Sequence, residues 1–177
     1  MRIGFMMGYQ RERMQFAKER GFGSAELQVN PDLDFFPGKP DWKQKATEMK
    51  AAFDAMDIRI SCLAGFYVNH MDPAKADEHA ALTRGVIDLA SHIGVGAVAG
   101  FAGKIVDAQL EDSLPLFKEI WTKHAKYAED RGVKIGFENC PMGWYHQPPG
   151  GNNCMCTPAM WEAGFDAVGS DALGLEW

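Results

Sequence analysis

Little in this chain points to export, membranes or nucleic acid. Its four cysteines, Cys62, Cys140, Cys154 and Cys156, include no Cys-x-x-Cys spacing. Neither a disulfide framework nor a paired-thiolate zinc site is indicated, which leaves free thiols in a reducing compartment. A soft-metal site drawn from Cys140, Cys154 and Cys156 is the alternative; the long Pro- and Gly-rich segment between them argues against it. No apolar run approaches the ~20 residues a membrane span requires. Arg2-Ile3-Gly4-Phe5 leads straight into a charged segment with no signal-peptide core, so a cytoplasmic protein is expected. Basic charge is also scarce: 18 Lys and Arg against 24 Asp and Glu give a net charge of -6. That balance leaves no electrostatic footprint for nucleic acid. No Gly-x-Gly-x-x-Gly follows the first apolar segment, which counts against a dinucleotide fold.

What is present is an ordinary globular composition, 46% hydrophobic and 24% charged over 177 residues, enough for one domain with a substantial core. One unit recurs: short apolar strand, polar loop, amphipathic helix, then Gly or Asp. The strands read as residues 2–6, 24–29, 58–63, 95–101, 133–138 and 172–177. Several are apolar almost throughout, as parallel strands covered by helices are. Ala46, Met49, Phe53 and Met56 form one helical stripe, and Leu82, Val86, Leu89 and Ile93 a second. Phe117, Ile120, Trp121, His124 and Ala128 form a third, on which His124 reads as a packed structural histidine. Asp41, Asp72 (before Pro73) and Thr157 (before Pro158) have the chemistry of N-caps. Gly21, Gly94 and Gly132 sit where helices end in a left-handed residue, with Asp57 in the same role.

Strict alternation of strands and helices forces right-handed crossovers and a parallel sheet. A barrel and a doubly wound sheet both satisfy that count. In a parallel barrel the chemistry gathers at the C-terminal ends of the strands. Glu138 closes the apolar run Val133-Lys134-Ile135-Gly136-Phe137, which makes it a candidate metal ligand or base. Glu26 ends the core of the second strand; inward it could orient a ligand, outward it could pair with a basic helix residue, and alternation alone leaves the choice open. Lys104, after the turn Gly100-Phe101-Ala102-Gly103, is a candidate anion contact. The loop from Trp144 through His146 to Asn153 is too polar and aromatic for a plain connector.

Three runs, Asn69-His70-Met71-Asp72-Pro73, residues 87–95 (Ile87-Asp88-Leu89-Ala90-Ser91-His92-Ile93-Gly94-Val95) and Gly100-Phe101-Ala102-Gly103, together resemble the sugar phosphate isomerase/epimerase family. Phe137-Glu138-Asn139-Cys140-Pro141-Met142 and Ala172-Leu173-Gly174-Leu175-Glu176-Trp177 are similar to its later signatures. The resemblance covers essentially the whole chain and rests on the order of motifs that are individually weak. It implies a xylose-isomerase-like (β/α)8 TIM barrel, incomplete here because about six βα units are present. It implies a metal-dependent isomerase or epimerase of a small sugar or sugar phosphate, working by proton transfer beside a carbonyl through an enediolate. A keto-sugar or cyclitol dehydratase on the same barrel, or an inactive fragment, are the rival readings.

By the same resemblance Glu138 matches the first metal-binding glutamate, with Mn²⁺ or Mg²⁺ as the expected cation and Co²⁺ or Zn²⁺ as alternatives. The family's second ligand is an Asp in an Asp-Pro-x-His run after the strand that here ends Gly174-Leu175-Glu176-Trp177; the sequence stops before it. His70 is expected to act in catalysis with Glu138, and Asn69, Trp144, His146, Glu26 and Lys104 to contact the sugar. The second glutamate of related epimerases is not found between Glu138 and Glu162. An abasic-site endonuclease on this barrel would carry basic surface and several zinc-binding histidines, whereas this chain is acidic with five His. The expected partners are a small sugar and, through exposed strand edges, further copies of the chain, with no nucleic acid and no membrane.

Overall fold

A computed structural model describes residues 1–141 and 151–176. Six strands run in chain order: β1 (Gly4–Met7), β2 (Ser24–Gln28), β3 (Arg59–Phe66), β4 (Ala97–Gly100), β5 (Lys134–Glu138) and β6 (Leu173–Glu176). Between them lie α1 (Arg11–Glu19), α2 (Trp42–Ala55), α3 (Ala76–Ile93), α4 (Leu114–Glu129) and α5 (Pro158–Val168), with a short 3-10 turn, Glu111–Ser113, leading into α4. Every strand pairs in parallel with its sequence neighbours, in the order β1-β2-β3-β4-β5-β6. A doubly wound sheet reverses its order at a switch point; this one does not. The arrangement is therefore six consecutive units of a (β/α) barrel, short of the eight that close one.

Register explains which side chains face the helices. Leu27 pairs with Leu63, Leu63 with Val98, Val98 with Ile135, and Ile135 with Leu173. The first four of these side chains are wholly buried, as is Phe137, which lies on the same face. Phe137 meets Trp121 edge-on at 4.6 Å and Phe117 at 5.6 Å between ring centroids. Trp121 also donates its indole N–H to Ala102 O at 3.0 Å, tying α4 to the loop after β4. The three helical stripes supply the other side of this layer: Ala46, Met49 and Phe53 of α2, Val86, Leu89 and Ile93 of α3, and Phe117, Trp121, His124 and Ala128 of α4 are all buried.

Punctuation follows local chemistry, with corrections at two of the expected caps. Gly94 closes α3 at φ 70, a left-handed conformation that costs Gly little because it has no Cβ. Thr157 caps α5, its hydroxyl accepting from Met160 N at 3.4 Å. Asp72 does not cap α3. Its Oδ1 accepts from Ala74 N at 2.9 Å, closing a local turn, and the helix starts at Ala76 instead. Asp41 stands at the N-cap position of α2 but at φ 55, without a side-chain cap bond.

Truncating an aromatic at the centre of the helix–sheet layer removes its transfer energy and leaves a cavity. Trp121→Ala is expected to lower the unfolding free energy by about 3–5 kcal/mol, read from the urea midpoint. A shift under about 1 kcal/mol would show that Trp121 is not a keystone of the layer.

Candidate active site

The face of the sheet opposite the helices carries the carboxylates. Because Ile135 and Phe137 face α4, Gly136 and Glu138 face the other way, by the alternation of a strand. Glu138 pairs in register with Glu176, and Glu26 with Met6 on one side and Cys62 on the other. The open question about Glu26 is thereby answered: it faces the interior, and its Oε1 accepts a hydrogen bond from the Tyr67 hydroxyl at 3.1 Å. Glu176 lies beside both Glu26 and Tyr67, and its Oε2 is buried without a partner among the described residues.

Charge crowding follows. Burial, then the neighbouring carboxyls of Glu26 and Glu138, push Glu176 up from 4.5 to about 8. Burial and the Glu26 charge also raise Glu138. The Tyr67 phenol is raised by burial, with Glu176, Glu26 and Glu138 reinforcing. The Cys62 thiol is raised by burial, then by Glu176 and Glu26. Four neighbouring acids, Glu138, Glu176, Tyr67 and Cys62, raised by burial and by nearby carboxyls mark a functional-site candidate.

The remaining predicted residues are placed elsewhere. His70 is buried between α3 and α4, its ring against Trp121 at 4.9 Å, Phe66 at 5.8 Å, His79 at 5.9 Å and His124 at 6.2 Å. It lines a cavity of about 350 Å³ with residues of those two helices, among them Arg84 and Lys123. The structure does not bring it to Glu138. Burial lowers its pKa to about 3, with His124 and His79 adding to the effect. His124 is lowered to about 4, first by burial and then by Arg84 and Lys123. Lys104 is buried, its ammonium donating to Ile105 O at 3.1 Å and Ala108 O at 2.7 Å. Asn69 donates to Lys104 O at 2.9 Å, and its Oδ1 accepts from Lys104 N at 2.9 Å and Met71 N at 3.1 Å. Both side chains thus hold loops. Trp144 and His146 lie outside the described residues.

Sequence reasoning missed Glu176 and Tyr67 as members of the cluster. A signal for Glu176 was available: β5 ends Gly136-Phe137-Glu138 and β6 ends Gly174-Leu175-Glu176, the same pattern at the same parity. Tyr67 had none, because its reach to Glu26 depends on the path of the loop after β3.

Among the described residues, no three His, Cys, Asp or Glu side chains converge closely enough to hold a metal ion. Glu138 and Glu176 still fit a share of a hard-cation shell. A buried, unpartnered carboxylate oxygen among mutually repelling acids is what such a cation satisfies. None of the helices among the described residues is long and apolar enough to cross a membrane.

A family model described as a xylose isomerase-like TIM barrel matches residues 14–177. No curated protein matches the sequence. Among solved structures, the chain is similar to a xylose isomerase domain protein from Planctomyces limnophilus at 13% identity and TM-score 0.73, covering 98% of this chain and 62% of that one. It is similar to a D-allulose 3-epimerase from Methylomonas sp. in complex with D-allulose at 17% identity and TM-score 0.68, covering 98% and 62%. A third is a xylose isomerase-like TIM barrel protein from Mycobacterium smegmatis in complex with magnesium, at 17% identity and TM-score 0.66, covering 93% and 54%. The chain thus spans between 54% and 62% of the length of these three structures. At such identities the likeness shows the fold.

Two pH dependences of opposite sign follow. Glu176 is raised to about 8 in the fold from 4.5, so the folded chain holds a proton that the unfolded chain releases. Stability is expected to fall as pH rises from about 5 through 8, and Glu176→Gln to flatten that fall in urea titrations. His70 is lowered to about 3 from 6.5, so the unfolded chain takes the proton first. Its contribution falls by about 1.4 kcal/mol per pH unit below 6.5, and His70→Phe is expected to remove that share. Identical pH profiles for variant and wild type would refute either assignment.

Proposed function

The chain belongs to the xylose isomerase-like TIM barrel family, whose model matches residues 14–177, and on that premise we propose that it carries the larger part of the active-site mouth of a sugar isomerase or epimerase. The observation that carries the reading is the convergence of Glu26, Glu138 and Glu176 around Tyr67 on the inner face of the sheet. Two of these glutamates end their strands, at the edge where barrel enzymes keep their chemistry. Their density of acid groups suits a polyhydroxylated substrate with an exchangeable C–H beside a carbonyl.

Glu138 would hold a divalent cation, Mn²⁺ or Mg²⁺, with Glu176 adjoining; bound there, it would supply Lewis-acid polarisation of the substrate's carbonyl and hydroxyl oxygens. The chain's own residues do the rest. Glu26, oriented by the Tyr67 hydroxyl, is placed to accept a hydrogen bond from a sugar hydroxyl or to move a proton. With no cation bound, burial and the Glu26 and Glu138 carboxyls hold a proton on Glu176 near neutral pH; in the loaded site its carboxylate would join Glu138 as an oxygen ligand. Gly136 and Gly174, paired directly behind the two strand-end glutamates, leave space at the barrel axis. In this reading the substrate is a small sugar or sugar derivative. His70 and Lys104, turned into loop and helix packing, take no part in the proton transfer.

The test is wash-in of solvent deuterium next to the carbonyl across a panel of small ketoses and aldoses, with Mn²⁺ or Mg²⁺ supplied. Glu138→Gln is expected to lower the exchange rate by about 100-fold or more, in line with removal of a general acid–base or electrostatic group. Exchange at the wild-type rate in that variant would end the proposal.

A further inference from the structure

On its β4 side, β5 stops pairing one residue before its end: Phe137 is the last residue in register with β4, opposite Gly100. Beyond it, the carbonyl oxygens of Glu138 and Cys140 would be left without a strand on that side. One side chain takes both. Asn153 is completely buried, and its Nδ2 donates to Glu138 O at 2.7 Å and to Cys140 O at 2.9 Å. The spacing of two residues is the strand period, which presents alternate carbonyls to the same side. Its Oδ1 accepts from Ala102 N at 3.2 Å and Met155 N at 3.3 Å. That uses both amide hydrogens and both oxygen lone pairs of the carboxamide. The orientation of the amide is fixed by the same set, since a flip would set its oxygen against two carbonyls.

Resting on the reading of Glu138 as a site carboxylate, we infer that Asn153 is the positioning residue for Glu138. It extends the β5 ladder by a side chain in place of a strand and joins it to the loop after β4. The next residue continues the join, Cys154 N donating to Gly103 O at 2.9 Å. Gly103 itself is held at φ 86, where a Cβ would stand 2.7 Å from His70 N and 2.9 Å from Asn69 Oδ1. The loop Asn153 grips therefore has little room to move, and the backbone of Glu138 is fixed against it. The Glu138 side chain therefore starts from a fixed Cα, and the reach of its carboxylate is set from there by Cβ and Cγ.

The test separates positioning from general stability and uses Mn²⁺ alone as the probe. Asn153→Asp keeps the two accepted bonds and replaces the donors with an oxygen facing two carbonyls. Ser113→Ala removes a different buried bond on the same loop, Ile105 N to Ser113 Oγ at 3.2 Å, without touching Glu138. At a temperature where circular dichroism shows all variants folded, Asn153→Asp is expected to weaken Mn²⁺ binding about tenfold. It should also speed hydrogen exchange in the segment 133–141, while Ser113→Ala leaves both within twofold of wild type. Asn153→Ser carries the same comparison if the Asp variant does not fold. If Glu138→Gln weakens Mn²⁺ binding but the folded Asn153 variant does not, the positioning role is wrong and the site reading stands. If Glu138→Gln binds Mn²⁺ like wild type, the site reading fails and the inference with it.

Discussion

Alternation within parallel strands is the constraint from which the rest of this structure follows. Once Ile135 and Phe137 are committed to the aromatic layer of α4, Gly136 and Glu138 have only the inner face left. The same rule applied through the register carries Glu26 and Glu176 to that face. Burial of large apolar groups on one side, each worth about 1.5–3 kcal/mol, thereby forces acids together on the other. A one-residue slip would exchange the two sets. The hydrophobic layer and the acidic cluster are two outcomes of one packing decision.

The loops beyond the strands need a different kind of support, because no ladder reaches them. Asparagine amides provide it twice: Asn69 binds the loop after β3 to the loop after β4, and Asn153 binds the latter to the end of β5. Lys104 and Trp121 add bonds to the same central loop. Buried polar groups of this sort carry a high desolvation penalty if left unpaired, so the bonds these side chains make give the mouth of the barrel a defined shape.

Much of this was legible in the sequence, for physical reasons that differ between elements. The strand–helix alternation and three helical stripes were readable because burial imposes a period on the chain, and Gly94 and Gly132 because a left-handed residue admits few alternatives. Glu138 was readable as the end of an apolar run. Asp72 misled because the same side-chain oxygen that caps helices also closes short turns, and here Ala74 N reaches it first. His70, Asn69 and Lys104 follow strands, as site residues do, but side-chain direction in a loop depends on contacts distant in sequence. Nothing local states that His70 will lie against Trp121 and His124 of α4. Tyr67 and Asn153 belong to the same class: their roles exist only once loops far apart in the chain are juxtaposed.

One pleat behind the glutamates of β5 and β6, the inner positions are Gly136 and Gly174, in register with Ala99 and Ala64. A methyl group at 136 would stand 3.4 Å from the Glu176 Cβ, an ordinary contact that the fold can accommodate. Four small residues thus set the depth of the hollow without contributing any reactive atom. On the proposed function, the width of the hollow and its acid chemistry would rest on different residues, so one could change by single methyl groups with no carboxylate replaced.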